Sequence, residues 1–438
     1  MTRIIRGEVV SFGVMAQDCL HERKGAVVIG DEGRIAWCGA LNALPEAYRK
    51  SSIDDFSDCL IMPGFIDPHI HFPQYRMLAA PGKDLLDWLT RFTFPEEARY
   101  GDAGYAAAAA EKFLDRLITH GTTSAMAFSS VHKECASALF AAAERRDMAI
   151  ITGKTMMDRD VPAPVRDSAE QSAQESETLY RQWHGKGRLR YAVSPRFAVT
   201  STEAQLKLSG DLLKSLPGAL MQTHLSESPG EIARIRELYP NDKDYTDVYD
   251  RFGLLSERSV FAHGIHLSER ECRRLSQTGA IVAHCPTSNM FLGSGLMNMA
   301  YLQQKERPVR LAIATDVGGG SSYSMLATLG AAYKVQMLAG YKPTAVELFH
   351  LATRRNAQVL GLDDEIGALD AGKWADIVVI DPKATPVLES RQELSETLED
   401  MLFSLAILGD DRAIRATYVA GRKLHERAAE CTRAIHAT

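Results

Sequence analysis

The sequence runs to 438 residues, with 45% apolar and 24% charged residues and a formal net charge of −6. That length accommodates a barrel of about 250 residues plus a smaller domain, and the composition is that of a globular protein able to bury a large core. The mildly acidic balance, with a pI of about 6.1, gives no reason to expect a nucleic-acid or membrane-surface partner.

The first eight residues, Met1 to Glu8, lack the apolar core of a signal peptide. No apolar run approaches the ~20 residues of a membrane span. The cysteines, Cys19, Cys38, Cys59, Cys135, Cys272, Cys285 and Cys431, form no C-x-x-C pair. Such an odd, scattered set points to a reducing, cytoplasmic setting.

Up to about residue 60 the chain reads as short strands and turns. Gly25 to Ile29 turns at Gly30-Asp31-Glu32-Gly33 into Arg34 to Cys38, a hairpin pattern. The middle alternates short apolar runs with amphipathic helices. Tyr105 to His120 is helical, with Phe113, Leu114, Leu117 and Ile118 on one face and Gly121 as its stop. Capping boxes at Thr200-x-x-Glu203, Ser268-x-x-Glu271 and Thr344-x-x-Glu347 open three more helices. Strand candidates fall at 60–66, 122–128, 149–154, 189–194, 219–224, 259–263, 280–284 and 310–315. Strands interleaved with helices in this way predict an α/β, parallel (β/α)8 barrel. Ala375 to Asp381 and Ala416 to Arg422 read as strands again, so both ends of the chain can join in one small sheet domain.

In such a barrel, catalytic groups stand where strands end and loops begin. The first run leads into Asp67-Pro68-His69-Ile70-His71, the fifth into His224-Leu225-Ser226-Glu227, the sixth into His263, the seventh into His284 and the eighth into Thr315-Asp316. His69 and His71, two apart on an extended segment, point to one side and can share a metal at about 2.0–2.1 Å. His224 supplies a third nitrogen and Asp316 an oxygen. That set suits one zinc ion per chain, with Fe2+ or manganese as alternatives. An open position would hold water and lower its pKa toward about 7. His284 either lines the pocket or orients a loop, and His266 either supports the site or belongs to a loop. His21, His120, His132, His184, His350, His425 and His436 sit in helices, loops or tails and read as structural or solvated.

Pro63-Gly64-Phe65-Ile66-Asp67-x-His69-x-His71 resembles the first-strand motif of the amidohydrolase superfamily, and Leu369 to Val378 resembles its C-terminal signature. The resemblance spans nearly the whole chain. It implies a TIM barrel over residues 63–365 and a small β-sandwich domain formed by residues 1–62 and 366–438. Pro73-Gln74-Tyr75, Arg196-Phe197, His224-x-x-Glu227, Pro286 to Asn289 and Thr315 to Gly319 are jointly similar to the guanine deaminase family within it. The end of the fourth run, Ser194-Pro195-Arg196, has no lysine to bridge a second metal.

This resemblance implies hydrolysis of guanine to xanthine and ammonia by a metal-activated water. His69, His71, His224 and Asp316 would hold the metal. Asp316 would take the water's proton, and Glu227 would protonate the ring nitrogen beside C2 and pass protons to the leaving amine. His263 would orient the attack. Gln74, Arg196 and Phe197, with His263 and Asp316, would bind the base. The resemblance also implies a homodimer. Deaminases or hydrolases of other amino-heterocycles (8-oxoguanine, cytosine, adenosine-type, triazine) share the metal chemistry and differ in the pocket. A non-catalytic scaffold on this barrel should show gaps in the ligand set, and none is seen. The unrelated zinc deaminases need H-x-E and P-C-x-x-C; His132-Lys133-Glu134 fits the first, but no P-C-x-x-C follows.

Overall fold

The computed structural model describes residues 2–428; Cys431 and His436 lie outside the described residues. Four strands come first: β1 (Arg3–Phe12), β2 (Cys19–Ile29), β3 (Ile35–Ala40) and β4 (Ser52–Pro63). The expected hairpin is β2–β3, with Val28 opposite Trp37 and Gly33 at φ +77° in its turn. β4 lies parallel to β1.

The chain then crosses Gly64 into β5 (Phe65–His71). The expected first barrel strand, 60–66, is therefore divided: its first residues belong to the terminal sheet and only its last two to the barrel. A Cβ on Gly64 would fall 2.3 Å from Thr123 Oγ1, so only glycine lets the chain pass so close to its neighbour. Apolar residues run on unbroken through both sheets, which conceals the junction in the sequence.

After β5 come β6 (Thr122–Phe128), β7 (Ala149–Gly153), the two-residue β8 (Thr155–Met156), β9 (Arg190–Pro195), β10 (Leu220–Leu225), β11 (Ser259–His263), β12 (Ile281–His284) and β13 (Arg310–Ile313). They order as β5-β6-β7-β9-β10-β11-β12-β13, with β8 paired to β9 off this path. All these pairings are parallel. Parallel strands covered on both faces read as continuous apolar runs. Small side chains such as Ala192, Ala262, Ala283 and Ala312 fill the interior beside Met126, Ile151 and other larger ones.

Between β13 and β5 no regular ladder forms, and polar side chains close the barrel. Asn356 Nδ2 donates to Ile66 O (2.7 Å) and Ile313 O (2.8 Å), while its Oδ1 accepts from Ile313 N (3.1 Å). Asp67 accepts from the hydroxyl of Thr315 and from its backbone N at 3.2 Å. Beyond the strands, Asp316 N donates to His69 O (3.0 Å) and His71 N to Val317 O (2.7 Å).

The chain returns to the terminal sheet as β14 (Ile377–Ile380), β15 (Ile414–Val419) and β16 (Arg422–Glu426). The sheet order β16-β15-β14-β4-β1-β2-β3 sets β14 antiparallel to β4, so both ends of the chain build one mixed sheet. Alternation sorts its faces. Ile61, Ile377 and Val379 pack within the terminal domain. Leu60, Met62, Val378 and Ile380 join the large cluster that includes the barrel's helices.

The capping boxes at Ser268 and Thr344 form as expected. The third helix differs: it spans Glu203–Ser215 and its cap is Thr202, not Thr200. Thr200 instead ends a single 3-10 turn, Ala198–Thr200, and Thr202 also ties to Asp158, a contact invisible to local spacing. Among the described residues no helix is long and apolar enough to cross a membrane.

Candidate active site

The site collects at the C-terminal ends of the barrel strands. His69 and His71 close β5, His224 lies in β10, and His263 ends β11. Glu227 and Asp316 follow β10 and β13; Arg196 and Phe197 follow β9. Gln74 sits in the 3-10 turn Phe72–Gln74 directly after β5. Three turning points are held in the left-handed region without glycine: Ser226 (φ 48°), His263 (φ 72°) and Asp316 (φ 52°). Such residues cost on the order of 1–3 kcal/mol each and persist where the surroundings over-determine them.

His69 Nε2 lies 3.2 Å and His71 Nε2 3.3 Å from Asp316 Oδ1, and His71 Nε2 lies 3.2 Å from His224 Nε2. The ligand atoms of His69, His71 and His224 all fall within 4.8 Å of one another, as do those of His69, His263 and Asp316. Both ring nitrogens of His69 and Nδ1 of His71 are buried without a hydrogen-bond partner among the described residues. Interiors rarely leave polar atoms so, and three nitrogens converging with one carboxylate oxygen fit a divalent ion of the zinc type. The donor set therefore fits a metal.

Protonation agrees with that fit. Burial pushes His71 down to about 4. Burial and the charges of His69 and His71 press His224 well below its ordinary value. Neutral imidazole is the ligating form. His224 Nδ1 stands 2.7 Å from the Arg196 carbonyl oxygen; a carbonyl only accepts, so Nδ1 carries the hydrogen and Nε2 is free to face the site. Burial works against the Asp316 carboxylate, but His69, His71 and His263 hold it well below the usual range.

His263 lies between the two carboxyl groups. Its Nε2 is 3.5 Å from Glu227 Oε2 and 3.8 Å from Asp316 Oδ2, and its Nδ1 is 2.8 Å from Asn289 Oδ1. Glu227 is buried, accepts from Ser294 Oγ at 3.2 Å, and is pushed up to about 8 by burial and by the charge of Asp316. Gln74, Trp88, Arg196, Phe197 and Leu292 line the same cavity beside His71, Glu227 and Asp316. Sequence-predicted residues from five strand ends thus come together around one cavity.

Other predicted residues lie elsewhere. His284 is buried with neither nitrogen partnered among the described residues, and it does not line the cavity. His266 Nε2 reaches the Ser294 carbonyl at 2.8 Å, so it supports the loop that carries the Ser294 contact to Glu227. The end of β9 offers no lysine. The buried Lys154 after β7 is paired with Asp167 and, at 3.2 Å, with Glu175.

Several residues escaped the sequence reading. Phe128, the last residue of β6, stacks on His71 (5.0 Å between centroids, 14°) and packs on His69 and His224; its place at a strand end was the available signal. Asn289 lies in the Pro286–Asn289 motif, but nothing in the motif gave it a partner. Glu97 accepts from Gln74 Nε2 (3.0 Å) and from Arg196 through both carboxylate oxygens (2.8 Å each). In sequence it is one of two adjacent glutamates, and its neighbour Glu96 pairs outward with Arg76 and Arg99.

A parallel barrel with convergent imidazoles and an acidic strand-eight residue defines a class of hydrolases. The chain belongs to the amidohydrolase family, whose model matches residues 60–424. It is 45% identical over 400 residues to the guanine deaminase of Escherichia coli (strain K12), covering 90% of each chain. The solved structure of E. coli guanine deaminase superposes with a TM-score of 0.93 at 41% identity, over 97% of this chain and 100% of that one. A guanine deaminase structure from C. acetobutylicum with guanine bound in its active site matches with a TM-score of 0.88 at 27% identity, over 97% and 100%. These similarities place the chain among the guanine deaminases of the family.

Proposed function

We propose that the protein hydrolyses guanine to xanthine and ammonia with one zinc ion per chain. The observation that carries this reading is that His69 and His71 both face Asp316, and His71 also faces His224, beside the cavity that Glu227, Gln74 and Arg196 line. The bound guanine in the C. acetobutylicum relative supports the substrate. His69, His71, His224 and Asp316 would hold the metal. When bound, a divalent ion there supplies Lewis acidity and makes water a nucleophile near neutral pH.

The protein groups do the rest. Asp316 takes the proton of the attacking water, and the water oxygen forms its bond to C2. Glu227, protonated in its buried setting, gives its proton to the ring nitrogen beside C2, which makes that carbon more electrophilic. His263, with Nε2 3.5 Å from Glu227 and 3.8 Å from Asp316, orients the attack. Glu227, now ionised, takes the proton of the new C2 hydroxyl and relays it to the exocyclic amine; the bond from C2 to that amine breaks, ammonia leaves, and the proton held by Asp316 returns to Glu227. Gln74 and Arg196 bind the base by its polar edge, and Phe197 packs against the ring.

Purified protein should convert guanine to xanthine, read as the loss of guanine absorbance, and a chelator should abolish the conversion until zinc is restored. Failure of the zinc-loaded protein to release ammonia from guanine, with turnover of another amino-heterocycle instead, would overturn the reading. The proposal includes a cytoplasmic homodimer. The six described cysteines are free, which supports a reducing compartment. Exposed Met290, Phe291 and Leu408 border one apolar groove, which supports self-association; light scattering tests it.

A further inference from the structure

The geometry points to Glu97 as the positioning residue that fixes the hydrogen-bond polarity of the base pocket, so that it reads a ring N–H beside a carbonyl oxygen. This inference rests on the deaminase reading above.

Glu97 is fully buried at the end of the short helix Phe94–Ala98. A carboxylate only accepts hydrogen bonds. Gln74 must therefore turn its NH2 group to Glu97, where Nε2 lies 3.0 Å from Oε1. One N–H of that group is spent on Glu97, and the fixed orientation leaves the amide oxygen as the acceptor that Gln74 can offer a ligand. On its other side that oxygen meets Gly318 N at 3.4 Å, a second donor that favours the same orientation. A Cβ on Gly318 would fall 2.8 Å from Gln74 Cβ, so the glycine is what lets this backbone approach the amide.

Arg196 has one orientation too. Its NH1 is bound by both Glu97 oxygens, and its guanidinium has only donors to offer. The pocket thus presents an acceptor from Gln74 and donors from Arg196, with one buried carboxylate setting both. An amide alone can flip and would read either polarity; the carboxylate removes that freedom.

The matching ligand edge is a lactam, a ring N–H next to C=O, as on the N1–C6 side of guanine. The amidine edge of 2,6-diaminopurine, with a bare N1 beside an amine, is its inverse. Both purines carry the same amine at C2, so comparing them isolates the edge from the chemistry. A site built around one hydrogen-bond pattern rejects the other because its own buried groups are left unpaired.

The test is steady-state kinetics of zinc-loaded wild type, Glu97→Gln and Gln74→Met on guanine and 2,6-diaminopurine. Wild type should strongly prefer guanine. In Glu97→Gln the guanine KM should rise about tenfold or more with kcat changed far less, and the preference for guanine should narrow at least about tenfold. Glu97→Asp keeps the charge but withdraws it by one methylene, and should fall between; it carries the test should Glu97→Gln not fold. Gln74→Met removes the amide while leaving the Glu97–Arg196 pair, and should narrow the preference likewise. Folded variants whose activity falls in equal proportion on both purines would reduce Glu97 to a structural role, and an unmoved preference in Gln74→Met would overturn the inference. Wild type inactive on guanine would instead sink the deaminase reading.

Discussion

The ring of His224 donates through Nδ1 to the backbone carbonyl of Arg196, 2.7 Å away, while the side chain of Arg196 turns to Glu97. One residue thus steadies an imidazole that faces the metal position with its main chain and lines the base pocket with its side chain. The two tasks are separable by mutation, because a substitution removes only the guanidinium.

Arg196→Ala should keep the metal and raise the guanine KM. It should also destabilise the fold by about 3–5 kcal/mol, since it leaves Glu97 buried and unpaired. Metal analysis, kinetics and denaturant unfolding on one preparation check all three. An unchanged KM would remove Arg196 from the base pocket.

Glu227→Gln should fold and bind metal as the parent does, while kcat falls by about 10²–10⁴, the usual range for a lost general acid–base group. Its neighbours are compatible with an amide, since Ser294 Oγ can still donate to the remaining oxygen. Turnover close to wild type would exclude Glu227 from proton transfer.

Chelation should lower the melting temperature as well as abolish activity. His69 and His71 have buried nitrogens without a hydrogen-bond partner among the described residues, so a metal held there would bind the folded state alone, with a stabilisation that grows with the logarithm of its free concentration. Differential scanning fluorimetry across a zinc titration should show that rise. A flat response would mean these imidazoles do not bind the ion.

Asn356 bridges the barrel seam through three hydrogen bonds to Ile66 and Ile313. Asn356→Ala strands two buried carbonyls and one N–H, each worth about 1–3 kcal/mol when unsatisfied, so a loss above about 3 kcal/mol is expected. The amide hydrogen of Ile313 should exchange much faster in the variant. Unaltered protection there would show that the seam holds without the side chain.

Glu231 gives the pH dependence. It is buried and accepts from Glu227 N at 2.8 Å and from the Tyr245 hydroxyl at 2.7 Å. Burial and the nearby Glu227 raise it from 4.5 to about 7. The folded state thus keeps a proton that the unfolded state has released above pH 4.5, so the Glu231 contribution is full below that value and declines as pH rises toward 7. The total is at most about 3 kcal/mol. Urea midpoints of wild type against Glu231→Gln, taken at fixed zinc from pH 4.5 to 8, should converge along that slope; a constant gap would mean Glu231 titrates at its ordinary value.

Much of this was legible in the chain. Parallel strands buried on both faces leave continuous apolar runs, and polar residues right after them stand out, so His69, His71, His224 and Asp316 could be read in order. Ser268 and Thr344 could be read because a capping box is wholly local. Glu97 could not: its partners Gln74 and Arg196 lie 23 and 99 residues away, and nothing local separates it from Glu96. Thr200 misled for the same reason, since the choice of Thr202 depends on Asp158 from another loop. The break at Gly64 was hidden because two different sheets share one unbroken apolar run.

That break ties the fate of the two ends together. β4 feeds β5 across a single residue, and β4 is itself flanked by β14, which the chain delivers more than three hundred residues later. A nick or truncation that releases β14 would fray β4 at the very root of the segment bearing His69 and His71. A graft of the barrel mouth would therefore have to bring along strands from the far tail to keep β4 paired on both sides.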